Sequence, residues 1–493
     1  MRNNIFTRIN SYLSNNEKTF IRIRNICLII IGISGAAWVL LTQSNAGADQ
    51  YYVLDAARGL RNGDYSAFRY NGYIAKYTNQ IGLLFIEYII GFIVGDYNYL
   101  FWQLLNVVMI VFTYKMFSDI LGILKLPRIA SLSTIILGIL FFPWTLYSVF
   151  IYGNVAGLFF ATSAFKYTML FIDSLKEFNS FKISYIVISA FSMMLSVMVK
   201  NNYLIFMIAL IIYTVAEALR HRNIQIILVT CAVIAGFAIQ AIVPKLVIEK
   251  ISGCNLGSGA SSWTWIAMGL HPSDGNVYAD GWYSGRIAAF YENNDYDTKK
   301  EAEVSKAEIK GYIDTYKNDH KAFTSFLSKK VASQWNNPEF QCFWITNEKS
   351  PVISDILSLK GSSTFIAFLN IMQSIILFGS MLYAVNTLIE GTFAGAAVLP
   401  LTFIGGFIFH LFWEGKCQYT LPYFMLLLPL SIIGFYSMAK KLSSVTKKHL
   451  YKCGVFAVIL LFIAIIFNRF IILNQDNKSY RQYREYTIEQ QKL

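Results

Sequence analysis

A chain of 493 residues that is 55% hydrophobic, 16% aromatic and only 14% charged excludes a soluble globular domain of ordinary composition. Repeated apolar runs near 20 residues mark instead an all-α polytopic membrane protein. The formal net charge of +13 does not point to nucleic acid: the largest polar segment, 245–362, carries 13 Lys/Arg against 14 Asp/Glu, so the excess lies in the N-terminus and short loops, where the positive-inside rule puts it.

Residues 1–24 hold Arg2, Arg8, Lys18, Arg22 and Arg24 and read as a cytoplasmic N-terminus. The run that follows, Ile26 to Leu41, has no small-residue cleavage site after it and reads as a retained span, not a signal peptide. Further apolar runs occur near 81–95, 99–118, 129–149, 152–173, 183–199, 203–219, 223–244, 363–388, 392–413, 419–438 and 453–472. If all of them crossed the bilayer, the basic stretch from Lys440 to Lys448 would fall outside, against the charge rule. The weakest run is 81–95. Its reach of about 22 Å falls short of a hydrocarbon core of about 30 Å, and Glu87 sits at its midpoint. We read it as a helix on or dipping into the outer interface, which leaves eleven spans.

That topology divides the chain into a transmembrane module 25–244 with a first outer loop 44–97, an extracytoplasmic segment 245–362, C-terminal spans over 363–472 and an outer tail 473–493. Within 245–362, residues 296–335 have helix-forming composition, and 253–285, rich in Gly, Ser and Trp, read as loop. The six cysteines have no metal-ligand spacing; Cys254 and Cys342 are the one candidate pair for a disulfide, against a reading as small unpaired residues.

The same topology gathers the polar residues of interest on the outer face. Asp49 follows the first span in the run Gly47-Ala48-Asp49-Gln50-Tyr51-Tyr52. Helical spacing puts Asp49, Val53 and Ala56-Ala57 on one face; Asp49 then serves either as an N-cap or as a general base. Lys200-Asn201-Asn202 forms a short outer turn with a basic residue, suited to a phosphate. The turn Glu414-Gly415-Lys416-Cys417-Gln418-Tyr419 carries two opposite charges between two long apolar runs. Trp263, Trp265 and Trp282 either stack on sugar faces or anchor at the interface. There is no Gly-rich phosphate loop, no His/Cys metal cluster and no nucleophile–histidine pairing in the sequence, and the short inner loops leave no room for a nucleotide-binding domain.

Together these positions resemble the integral-membrane GT-C glycosyltransferases, the broad class that includes protein O-mannosyltransferases and lipid A aminoarabinose transferases. Asp49 stands where that family has its catalytic acid. Gln80-Ile81-Gly82 resembles the start of its juxtamembrane helix, and His410…Glu414-Gly415-Lys416-Cys417-Gln418-Tyr419-Thr420-Leu421-Pro422 resembles its late E/K-x-R-Y/F-x-x-P turn. Gln418 replaces the arginine of that turn, and Gln50 replaces a frequent second acid. The resemblance implies transfer of a sugar from a polyprenyl-phosphate donor to a hydroxyl of a cell-envelope acceptor (wall polymer, lipid-linked glycan or protein) on the outer face. Asp49 would be the base. Lys200, Lys416 and Arg58 would neutralise the donor phosphate, and Gln50, Glu414, Tyr419, Trp265 and Trp282 would shape the substrate pocket. No cofactor is implied with certainty; a divalent metal would lack a ligand cluster. The alternatives are a flippase of lipid-linked saccharides, which would carry midplane charges or inverted repeats, and a glycan polymerase or ligase of another membrane fold.

Overall fold

The computed structural model describes residues 5–443 apart from 178–179, 274–278, 344, 347–358 and 391–394. The expected span 453–472, the outer tail and most of the basic stretch after Lys440 lie outside the described residues. Among those described, all regular structure is helical; the single β-type pairing is an isolated bridge between Trp282 and Gly415.

Long apolar runs with few helix breakers become the principal helices. With the amphipathic α1 and α3, the helices in chain order are α1 (Ile5–Asn15), α2 (Glu17–Thr42), α3 (Asp49–Asn62), α4 (Ile81–Val94), α5 (Tyr99–Ile123), α6 (Arg128–Leu140), α7 (Asn154–Glu177), α8 (Ile183–Val199), α9 (Leu204–His221) and α10 (Ile227–Ser252). The extramembrane helices α11 (Ser262–Leu270), α12 (Arg286–Asn293), α13 (Thr298–Asn318) and α14 (His320–Trp335) follow, then α15 (Leu359–Glu390), α16 (Val398–Phe412) and α17 (Leu421–Ser443). Among the described residues, seven helices are long and apolar enough to cross a membrane, or up to nine if each of two sharply bent pairs counts as one span. The helices α8 and α16 are apolar but shorter. The protein is therefore compatible with a multi-pass membrane protein.

Local sequence explains the breaks. Pro127 and Pro143 mark the N-terminal ends of α6 and of the short helix after it, where a missing N–H costs nothing; the two pieces meet at 61°. The helix α10 outruns the expected boundary at 244 because Pro244 is tolerated inside it, and Gly253, with φ +65°, ends it in a left-handed cap. Asp297 and Asp319 cap α13 and α14, each accepting two backbone N–H bonds.

The segment 81–94 is indeed a helix, α4, bent 96° from the helical stretch before it. It lies against α3, and its Glu87 turns inward, 3% exposed, while Phe92 and Ile93 stay exposed. The Arg61 guanidinium of α3 donates to the carbonyls of Glu87 and Tyr88 at 3.0 and 3.2 Å and pairs with Asp96. Gly91 makes that approach feasible, since a Cβ there would fall 2.2 Å from Arg61.

One expectation for the extramembrane segment is corrected, and the two-way reading of Cys254 and Cys342 is decided. Residues 262–270 form helix α11, not loop; Ser261 starts it by accepting from the Trp263 N–H at 3.3 Å, a serine cap inside a Gly/Ser-rich run. Cys254 and Cys342 are not joined in a disulfide.

Candidate functional site

A cavity of about 700 Å³ opens where the start of α3 and the ends of α8 and α16 meet the helices of the 245–362 segment. Asp49, Lys200, Glu414, Lys416, Tyr419 and Trp265, all singled out in the sequence, line it. Four stretches far apart in the chain thus supply one wall each.

Asp49 is the first residue of α3. Its carboxylate does not cap the helix: the cap position is Ala48 and makes no side-chain cap bond. Instead Asp49 Oδ1 accepts from the Tyr73 hydroxyl at 2.9 Å. The apolar face of α3, Val53, Ala56, Ala57 and Leu60, is buried, which orients the helix and leaves its first residue at the cavity. Gln50, its neighbour, turns away and its Oε1 accepts from the Ile151 N–H at 2.8 Å. It braces the 150–153 loop and does not line the cavity.

Lys200 sits immediately after α8, and two glycines set its height. A Cβ on Gly82 would lie 2.1 Å from the Met198 carbonyl oxygen, and one on Gly153 (φ +76°) 2.1 Å from that of Val199. Only hydrogen side chains let α4 and the 150–153 loop close on the C-terminal end of α8. The Lys200 ammonium then lies 3.5 Å from the Tyr152 ring centroid, a close cation–π contact. Burial brings its pKa down to about 7, against the pull of Asp49, which raises it; Lys416 adds to the lowering.

Glu414 and Lys416 stand on the turn between α16 and α17. Glu414 is buried and its Oε1 accepts from the Tyr419 hydroxyl at 2.5 Å. Its Oε2 has no hydrogen-bond partner among the described residues. Burial pushes its carboxyl above the usual range, with Lys416 and Tyr419 pulling it down and Asp49 adding to the rise. The Lys416 ammonium lies 4.1 Å from the centre of the Tyr283 ring.

The extramembrane helices add an aromatic wall. Trp265 stacks on Trp413 at 6.0 Å and 13°, and Tyr77 meets Trp265 edge-on. Trp282, expected here, is instead buried, with its indole N–H donating to Ser333 at 2.8 Å. The next residue, Tyr283, takes the cavity position. Arg58 also lies away from the cavity: it pairs with Asp55 at 2.9 Å and sits over the Tyr97 ring.

Sequence reasoning missed Lys330, Tyr73 and Tyr152. Lys330, on α14, is fully buried and donates to the carbonyls of Gly269, Leu411 and Trp413 at 2.5, 3.1 and 2.8 Å. It thereby ties the C-terminal ends of α11 and α16 together just before Glu414. Beside it, the Gly415 N–H donates to the Gly281 carbonyl at 2.7 Å. Nothing in the mixed-charge stretch around Lys330 distinguishes it in the sequence, and Tyr73 and Tyr152 are two among 31 tyrosines. Among the described residues, no group of three His, Cys, Asp or Glu side chains could share a metal ion.

Comparison with known protein families, with curated proteins and with solved structures finds no match. The functional reading rests on the chemistry of the cavity.

Proposed function

We propose that the protein is an inverting membrane glycosyltransferase of GT-C type, moving a sugar from a polyprenyl-phosphate donor to an acceptor hydroxyl on the outer face. One observation carries the reading: two carboxylates (Asp49 and Glu414), lysines that include Lys200 and Lys416, and an aromatic wall share a cavity of about 700 Å³ at one end of the helix bundle. That volume is of the size that small-molecule sites have. The charge distribution supports this orientation, and the membrane count we favour is eleven: the seven long helices, the bent pair beginning with α6, α8, α16 and the span expected from the sequence at 453–472.

In this reading Asp49 takes the proton of the acceptor hydroxyl as its oxygen attacks the anomeric carbon. Tyr73, donating to Asp49, fixes the direction in which the carboxylate faces. The bond from the anomeric carbon to the phosphate oxygen breaks, and the leaving phosphate gains negative charge. Lys200 and Lys416 stabilise that charge as it develops, and an arriving phosphate keeps Lys200 protonated despite its burial. Trp265, Trp413 and Tyr283 offer ring faces to the sugar.

The test is Asp49→Asn in a strain lacking the native gene, with surface glycans read by mass spectrometry. The expected result is loss of one glycan modification at normal protein level. Full modification by the variant would overturn the assignment of Asp49 as base. A carrier that only flips lipid-linked saccharides would leave the glycosidic linkage count unchanged in purified, reconstituted protein, whereas a transferase forms the linkage there.

A further inference from the structure

At the other end of the bundle three cations converge on one carboxylate. Lys115 and Lys166 donate to Asp119 Oδ2 at 2.9 and 2.7 Å, and Arg24 Nη1 lies 3.6 Å from Asp119 Oδ1. They come from α2, α5 and α7, which pack side by side. Arg24 is 18 residues before the end of α2 and Asp119 is 20 residues after the start of α5, so the cluster lies about 27–30 Å along the helices from the cavity end. It is separate from the proposed transferase site and independent of that reading.

The charges do not balance. One carboxylate faces three cations, and the cluster is not a solvated surface patch: the side chains of Arg24, Lys166 and Asp119 are each 17% exposed, and only Lys115, at 36%, reaches well into solvent. Partly desolvated cations this close repel one another, and burying charge without a counterion is costly. The positive-inside rule accounts for cations in loops, not for three directed inward at one acid from helix interiors. Arg24 is also incompletely used, since its buried Nε has no hydrogen-bond partner among the described residues. The Phe20 ring lies against the Arg24 and Arg128 guanidiniums and holds that edge of the site. Arg128 itself is engaged with Glu17 and the Leu13 carbonyl.

We propose that this cluster binds a phosphate group, supplied by the headgroup of an anionic phospholipid. A phosphodiester brings one negative charge and several acceptor oxygens, which match a guanidinium fork beside two ammonium groups. The location favours the bilayer as the source, because basic pockets between helices at the membrane boundary take lipid headgroups. The bound phosphate and Asp119 together would neutralise two of the three cations.

The test is native mass spectrometry of the full chain released from mixed phosphatidylglycerol and phosphatidylcholine nanodiscs. The expected result is retention of one phosphatidylglycerol in preference to phosphatidylcholine. In Lys166→Gln that preference should fall about fivefold or more, and Lys166→Arg should keep it. Inorganic phosphate in excess distinguishes the two sources: failure to displace the lipid assigns the site to the headgroup, and full displacement assigns it to soluble phosphate as the ligand. Equal retention of the two lipids by the wild-type protein would overturn the proposal, whatever the variants do. A preference unchanged in Lys166→Gln would overturn its placement at this cluster.

Discussion

The Lys330 ammonium lies 2.8 Å from the carbonyl oxygen of Trp413, the residue before Glu414. Through its further bonds to Gly269 and Leu411, one side chain holds α11 and the apolar helix α16 at the height where the cavity forms. The placement of Glu414 and Lys416 thus depends on a residue that does not line the cavity.

Lys330→Met should loosen that junction. Three carbonyls lose a donor, the one at Gly269 in a buried contact and those at Leu411 and Trp413 in partly buried ones, and unpaired buried polar groups cost about 1–3 kcal/mol each where water cannot replace the partner. Hydrogen exchange should accelerate at 269–271 and 411–415, with a lower midpoint of thermal unfolding in detergent. Unchanged exchange at both segments would remove Lys330 from this role. The pH dependence has a definite sign. Burial lowers the Lys330 pKa to about 7, against about 10.4 in an unfolded chain, so between those values the unfolded state binds more protons and this group's contribution to stability rises with pH. The difference in stability between wild type and Lys330→Met should therefore shift in favour of the wild type from pH 7 to pH 10.

Under the proposed transfer, Lys200 should impose an alkaline limit on donor use. Its pKa of about 7 means that the free protein loses this positive charge as pH rises through neutrality. Binding of an anionic donor should then weaken by up to about tenfold per pH unit above that point; the charged groups that face Lys200 are Asp49, Glu414 and Lys416. Measured as kcat/KM against pH in reconstituted protein, Lys200→Arg should flatten the alkaline limb, because a guanidinium stays charged. An alkaline limb identical in the variant would show that another group sets it.

Gly82→Ala should displace Lys200 without touching the cavity. The added Cβ would meet the Met198 carbonyl oxygen at 2.1 Å, and overpacking of this kind costs about 1–3 kcal/mol. The expected outcome is reduced stability and a raised KM for donor; wild-type values for both would show that α4 shifts without moving α8.

Single cysteines report the orientation. Tyr70 is exposed near the cavity end, and Arg222 is exposed at the turn between α9 and α10. In sealed cells a membrane-impermeant maleimide should label Tyr70→Cys and leave Arg222→Cys untouched. The reverse pattern would turn the cavity toward the cytoplasm and exclude an outer-face transferase.

The helical class was legible in the sequence because runs such as 99–118 and 203–219 are long and apolar, a signal that does not depend on what packs against them. Asp49, Lys200, Glu414 and Lys416 were legible as a group through topology, since placing them on one side of a membrane already brings them near one another. What escaped was the inward facing of individual side chains. Trp282 and Tyr283 are adjacent and both aromatic, and only the pairing of strand-like backbone at Gly415 decides which one meets the cavity. Gln50 and Arg58 read in the sequence as substrate-binding residues, but the first is consumed by a backbone N–H and the second by Asp55. The helix α11 was read as loop because Gly and Ser dominate the residues before it, while its own apolar run is only nine residues long.

The bridge between Trp282 and Gly415 also bears on how the protein is made. The cavity needs Asp49 from the first part of the chain and Glu414, Lys416 and Tyr419 from the last membrane helices. During synthesis the early helices and the extramembrane segment leave the ribosome well before the turn that completes the wall. A chain interrupted before α16 would therefore lack the acidic and basic residues of that wall, together with two of the three carbonyls that Lys330 engages. Assembly of the cavity is a late event in biogenesis, and premature termination should leave a protein without it, not one with a partly working site.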